Sequence, residues 1–380
     1  CRRCDNARCV MGELAVLLAL GYGLVLGFPL YLYIAVVRWA HDAQYWCKAV
    51  LALGPLLFIA FLLVPWASDD PSALLVLSSL VMFSFAKTLE TIWNTHDPSV
   101  RKSFHRFCLY FAIPSDVSFE GGDDAAKKRG PSVMRQALYR LAYAAFECVL
   151  LGLLIATLLL AEAYFPSIFD VGEMWPACGY WNGSCYLHSG LVYTLESYVS
   201  FLCIRIVLNG VLLAGAQLAH GEGIIVKDCW GDLTFATSLR QIWAGWNMVV
   251  HIAWYRVVYK PLLHSAIIKS LFPNAFRSRQ VAAMLATFVF SGFIHEYLIW
   301  CRTGGSTGSQ VLFFTVQALL LLMEPGALQR PARGTAESSA KKAFRHVAGP
   351  VEWSLCLVLT LPVFFHDVGV PMSEFLHGAA

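Results

Sequence analysis

The sequence predicts an all-α, polytopic membrane protein with about eight transmembrane helices and one re-entrant or interfacial helical segment. Three observations carry that prediction. The chain of 380 residues is 58% hydrophobic and only 14% charged, whereas soluble domains carry roughly 25% charged residues. Its apolar residues gather in runs of about 20, the length that crosses a bilayer. Its Lys and Arg residues gather in short loops between those runs, as membrane topology requires. A formal net charge of +3, spread over such loops, gives no polyanion-binding face, so no nucleic-acid partner is expected.

In chain order the expected spans are Met11–Val37, Cys47–Pro65, Ser72–Leu89, Leu138–Phe165, Leu191–Ala219, Val281–Trp300, Gln310–Glu324 and Val351–Phe365. The first is too long for the core of a signal peptide. The Gln310 and Val351 segments are short enough to be tilted or partly embedded. No internal repeat is visible, which argues against an inverted-repeat transporter. The whole chain, 1–380, reads as a single integral membrane domain, with cytosolic loops at 90–137, 220–280 and 328–350.

Orientation follows from the loops. The segment after Leu89 holds Arg101, Lys102, Arg106, Lys127, Lys128, Arg129 and Arg135 and is assigned to the cytosol. Pro166–Gly190 has no Lys or Arg and is assigned to the lumen. It carries an N-glycosylation triplet at Asn182-Gly183-Ser184 between Cys178 and Cys185, which could close a small disulfide. Arg330–Arg345 returns to the cytosol, and only Arg2, Arg3 and Arg8 oppose the alternation. Cys1, Cys4 and Cys9 form a basic cluster without an evident fourth ligand, so no metal site is expected. Together these features predict a multi-pass protein of the endoplasmic reticulum membrane.

Two intramembrane features ask for an explanation. Arg205 and Asn209 lie i, i+4 in one span and Glu147 lies in another. An Arg in hydrocarbon wants a partner, so a structural Arg205–Glu147 pair is expected, with a cavity for phosphates as the alternative. The second feature is Ser291-Gly292-Phe293-Ile294-His295-Glu296, deep inside an apolar run. Titratable side chains at that depth cost at least a few kcal/mol, roughly 2.5–3.5 for a central charge. His295 is therefore either a functional residue or a neutral side chain hydrogen-bonded to a neighbouring helix.

Upstream, Gly221–Arg279 has mixed character, and Trp243–Lys260 is apolar yet too short to span plainly. Read as one helix, it aligns Trp243, Asn247, His251 and Trp254 on a single face. That face would be either an aromatic wall lining an acyl or adenine pocket or an interfacial anchor.

The stretch 238–297 resembles the wax synthase branch of the membrane-bound O-acyltransferases. The match rests on Ser238, Leu239, Trp243, Trp246, Asn247, Arg256, Val258, Tyr259 and Pro261, followed by Ser291, Gly292, His295 and Glu296. It departs at Ile242 and Gly245, where that branch has Phe and Arg.

The resemblance implies transfer of a fatty acyl group from acyl-CoA to a lipophilic alcohol. The alcohol would be a long-chain fatty alcohol, with a sterol or diacylglycerol as the alternative. His295 would be the catalytic base and Asn247 the second catalytic residue. Trp243, Trp246, His251, Arg256, Tyr259, Ser291 and Glu296 would line the substrate site. Acyl-CoA is the substrate, and no cofactor is implied. A thioester is already activated, so direct transfer is expected rather than a covalent intermediate on Cys301. Readings from other classes are a membrane transporter and a catalytically inactive scaffold.

Overall fold

The computed structural model describes residues 16–21, 23–39, 44–68, 70–113, 117–119, 133–164, 194–195, 198–199, 201–220, 224–231, 236 and 238–324. The Cys1/Cys4/Cys9 cluster, the loop with Cys178, Asn182 and Cys185, the run Lys127–Arg129 and the span Val351–Phe365 lie outside the described residues.

The described chain is helical, apart from one two-stranded antiparallel ribbon, β1 (Val117–Phe119) against β2 (Ile224–Val226), with Val117 opposite Val226. α1 (Phe28–Leu32) lies between the π-helical turns Gly23–Gly27 and Tyr33–Trp39. α2 (Tyr45–Phe58), α3 (Pro71–Ile92), α4 (Phe104–Ala112) and α5 (Val133–Tyr164) follow. A π-helical stretch, Ile206–Leu213, leads into α6 (Ala214–His220). After β2 come α7 (Leu239–Gly245), α8 (Met248–Trp254), α9 (Lys260–His264), α10 (Ala266–Leu271), α11 (Phe276–Thr303) and α12 (Ser309–Met323).

Among the described residues four helices are long and apolar enough to cross a membrane: Cys47–Trp66, Met134–Leu160, Phe201–Leu218 and Phe276–Thr303. They coincide with four expected spans. Phe28–Arg38 and Ser309–Met323 are shorter apolar helices. The expected span Ser72–Leu89 falls in α3, whose last turns bury Lys87, Thr88, Glu90 and Thr91. That end of α3 is built for partners inside the protein rather than for lipid. The result is an α-helical integral membrane protein.

Backbone defects in the helices are repaired by side chains. Pro55 has no N–H to give the Leu51 carbonyl one turn earlier, and the Tyr31 hydroxyl donates to that carbonyl at 2.7 Å. In the π-helical turn Ile59–Leu63 the register is i to i+5, so the Ala60 carbonyl looks to residue 65, a proline. The Tyr297 hydroxyl on α11 donates to Ala60 instead, at 2.9 Å. Each repair also ties two helices together.

Long-range polar contacts organise the centre. Glu147 and Arg205 form the expected ion pair, Nε to Oε1 at 3.0 Å, with 4% and 8% of the side chains exposed. Asn209, one turn on, accepts from the Cys229 N–H at 2.8 Å and donates to the Trp230 carbonyl at 2.7 Å. Arg140 holds the chain just past the ribbon, binding Asp228 at 2.8 Å and the Val226 carbonyl at 2.9 Å, and also reaches Gln217.

Candidate active site

α11 carries His295, and its motif divides between two faces. Gly292 and Glu296, four residues apart, share the face against α12. A Cβ on Gly292 would meet the Val311 Cα at 2.7 Å, so the two helices cross where only glycine fits. Glu296 accepts from the Gln310 N–H at 2.7 Å and the Val311 N–H at 3.4 Å, and from the Ser306 hydroxyl at 2.5 Å. Its carboxylate thus satisfies orphan donors at the start of α12 and faces the positive end of that helix. The connection closes through Gly304 and Gly308, both at positive φ (72° and 81°) where a side chain is strained. The carboxylate of Glu296, expected on sequence to line the substrate site, is buried and holds the start of α12.

Ser291 and His295, also four apart, occupy the adjacent face. Nδ1 of His295 lies 2.8 Å from the Ser291 carbonyl. A carbonyl only accepts, so Nδ1 carries the proton and the lone pair is on Nε2. Ser291 therefore serves through its backbone, and its small side chain is buried. The half-buried His295 ring packs on Phe314 of α12, with centroids 4.5 Å apart.

Trp243 completes that wall. Its ring lies 5.6 Å from Phe314 and 5.2 Å from Phe288, and its Nε1–H donates to Gln317 at 3.2 Å. His295 and Trp243 thus share one aromatic neighbour. Phe288, Phe314 and Gln317 were not named as site residues on sequence. Their signal is weak, because aromatic residues and Gln within apolar helices read as ordinary packing.

The rest of the expected wall is not brought together. The segment 243–259 is not one helix: it breaks at Trp246-Asn247, between α7 and α8. The cause is a docked loop. The Gly245 carbonyl accepts from the Gly231 N–H at 2.7 Å, and the Met248 N–H donates to the Cys229 carbonyl at 2.8 Å. A Cβ on Gly231 would lie 2.8 Å from the Gly245 Cα, so the two backbones touch.

Asn247 is the N-cap of α8, its Oδ1 accepting from the Val250 N–H at 3.1 Å. Trp246 turns the other way from Trp243, stacking on Phe201 at 5.9 Å and meeting Trp230 edge-on. His251 is exposed, while Trp254 is buried against Phe290 at 5.0 Å. The single-helix face expected for Trp243, Asn247, His251 and Trp254 is therefore not formed.

Arg256 and Tyr259 lie further along, in a π-helical turn, Tyr255–Tyr259. Arg256 pairs with Glu90 of α3 at 3.1 Å, and Glu90 also accepts from the Tyr110 hydroxyl. Lys87 sits over the Tyr110 ring at 3.8 Å. Tyr259 stacks on Tyr255 at 5.4 Å. Cys301 is buried on α11 six residues from His295, about 9 Å along the axis and 120° around it. The two side chains do not form a dyad.

No family model matches the chain. Over 116 residues, 30% of its length, it is 35% identical to sterol O-acyltransferase 1 of Mus musculus and of Rattus norvegicus. Over the same length it is 37% identical to sterol O-acyltransferase 1 of Cricetulus griseus. These stretches span 18% of each relative's own length. The likeness is to sterol O-acyltransferases over a minor part of the chain and does not single out the wax synthase branch.

Proposed function

We propose that the protein is an acyl-CoA-dependent O-acyltransferase that esterifies a lipophilic alcohol within the membrane, with His295 as the general base. The observation that carries this reading is the placement of His295. Its Nδ1 lies 2.8 Å from the Ser291 carbonyl and its ring packs on Phe314, so in the neutral ring Nε2 would be the atom to take a hydroxyl proton beside an apolar wall. The similarity to sterol O-acyltransferases supports the same reaction class.

In this reading Nε2 removes the alcohol's proton as the oxygen attacks the thioester carbonyl carbon. The tetrahedral intermediate collapses with loss of the C–S bond, and the imidazolium returns its proton to the departing CoA thiolate. The products are an ester and CoA, and no covalent enzyme intermediate is needed. General-base assistance of this kind contributes about 10² to 10⁴ in rate. Asn247, its Oδ1 used as a cap, would contribute Nδ2–H as a donor toward the thioester carbonyl. The acyl donor would enter from the cytosol because CoA is charged, and the alcohol would enter laterally from the bilayer.

For the acceptor we propose a long-chain fatty alcohol, on the residues shared with the wax synthase branch. A sterol is favoured by a different observation, the identity of the similar relatives. One assay tests both. Membranes containing the full chain are given labelled fatty acyl-CoA with fatty alcohol, sterol or diacylglycerol in parallel. Ester from one acceptor, lost in His295→Ala, supports the reading. No ester from any acceptor, or ester undiminished by His295→Ala, overturns it.

A further inference from the structure

Beyond the end of α3 lies a cavity that shares no lining residue with the aromatic wall beside His295. The cavity of about 280 Å³ is lined by Thr95, His96, Asp97, Val117, Lys227 and Arg256. It is far larger than one water, whose share of liquid volume is about 30 Å³. Its walls come from three parts of the chain: the turn after α3, the ribbon with Lys227 just past it, and the π-helical turn holding Arg256.

His96 gives the cavity its polarity. The side chain is 4% exposed, and its Nε2 accepts from Nε of Arg101 at 3.0 Å. Nε2 therefore holds a lone pair, and in the neutral ring the proton sits on Nδ1. Burial, then the positive charges of Arg101, Lys87 and Arg256, push the His96 pKa down to about 3, so the ring is neutral at physiological pH. Nδ1 is buried and has no hydrogen-bond partner among the described residues. A buried N–H without an acceptor is costly to leave unmade.

The other groups fit the same occupant. Lys227 and Arg256 bring positive charge to the cavity. Asp97 is the acidic lining residue, its Oδ1 engaged as a cap by the Ser99 N–H at 2.7 Å, and Arg256 also pairs with Glu90 at 3.1 Å while keeping further N–H donors. An occupant that accepts hydrogen bonds and carries negative charge suits Lys227, the remaining Arg256 donors and the His96 N–H. An oxyanion with several acceptor oxygens meets both demands, and charge-assisted bonds to Arg and Lys are the strong kind.

We propose that this cavity binds a phosphate group, with His96 Nδ1–H, Lys227 and Arg256 as its donors. Two sources share that chemistry: the 3′-phosphate of a coenzyme A nucleotide and the headgroup of an anionic lipid. Assigning it to the acyl donor rests on the acyl-CoA reading above, whereas the phosphate site itself does not.

The test is binding, not turnover. The purified full chain in detergent is titrated calorimetrically with adenosine 3′,5′-bisphosphate, and in nanodiscs with phosphatidic acid against phosphatidylcholine. Lys227 is exposed, so Lys227→Gln leaves packing intact. His96→Leu removes the buried donor. Saturable binding of either probe, weakened about tenfold or more by both substitutions, supports the site. If the nucleotide is that probe, palmitoyl-dephospho-CoA should show a raised KM in the wild type and little difference from palmitoyl-CoA in Lys227→Gln. If phosphatidic acid alone binds in a Lys227-dependent way, the site stands with a lipid occupant. Absence of saturable binding by both probes, or binding indifferent to both substitutions, overturns the proposal. Loss of ester synthesis in His295→Ala with phosphate binding unchanged would keep the two sites separate.

Discussion

At the scale of single residues, the pair His295-Glu296 separates into two jobs. In the proposed reaction His295 is the base, while Glu296 binds the start of α12. His295→Ala should lower ester formation by 10²-fold or more, on the scale of a lost general base, while detergent-solubilised protein keeps its melting temperature. Asn247 allows a sharper test because its two functional atoms can be separated. Asp caps a helix as well as Asn does, but it has no N–H to donate. Asn247→Asp should therefore leave stability within about 0.5 kcal/mol and lower kcat if Nδ2–H meets the substrate. Unchanged kcat would confine Asn247 to capping α8.

His96 makes a prediction about pH. Its folded pKa of about 3 lies below the ordinary value of 6.5, so the unfolded state binds the extra proton first. The contribution to stability is full above pH 6.5 and is lost as pH falls toward 3, at about 1.4 kcal/mol per pH unit. Melting temperature should fall between pH 6.5 and 5 in the wild type. The fall should be shallower in His96→Gln, measured by scanning fluorimetry at matched ionic strength.

At the scale of elements, the site depends on how closely α11 and α12 approach. Glu296→Ala should cost about 1–3 kcal/mol by stranding buried N–H groups at the start of α12. It should also lower kcat, because Phe314, which backs His295, sits on that helix. Glu296→Gln keeps one acceptor oxygen and should fall between the two, by thermal unfolding and by turnover. Gly292→Ala forces the Val311 backbone to move and should cost about 1–3 kcal/mol, the range for overpacking.

The sequence made α11 easy to place, because a long apolar run with its polar residues in one motif has few other readings. The region 243–259 was harder. Its 3.6-residue pattern of Trp, Asn, His and Trp fitted one helix, but Asn247 is a cap and Gly245 a point of backbone contact. Local periodicity does not register a loop, Cys229–Gly231, that docks from elsewhere in the chain. For the same reason Arg256 was visible as a charge while its partner Glu90, 166 positions away, was not.

At the scale of the whole molecule, buried polar contacts decide which helices stand beside one another. Apolar faces in lipid gain little by packing on each other, since lipid tails are equally apolar, so polar groups carry much of the specificity. The Arg205–Glu147 pair binds α5 to the span that leads into α6, and Asn209 on that span pins the loop that breaks α7 from α8. An error at the pair should therefore reach the site. Glu147→Ala strands a buried guanidinium and should cost about 3–5 kcal/mol, with loss of activity at the growth temperature. Replacing both partners, Glu147→Leu with Arg205→Met, removes charge and countercharge together and should recover most of that stability. Thermal unfolding and ester synthesis measured on the two singles and the double form a cycle that isolates the coupling. If the pair only holds helices together, the double variant recovers both stability and turnover. If Arg205 instead receives a phosphate of the donor, stability returns and KM for acyl-CoA stays high.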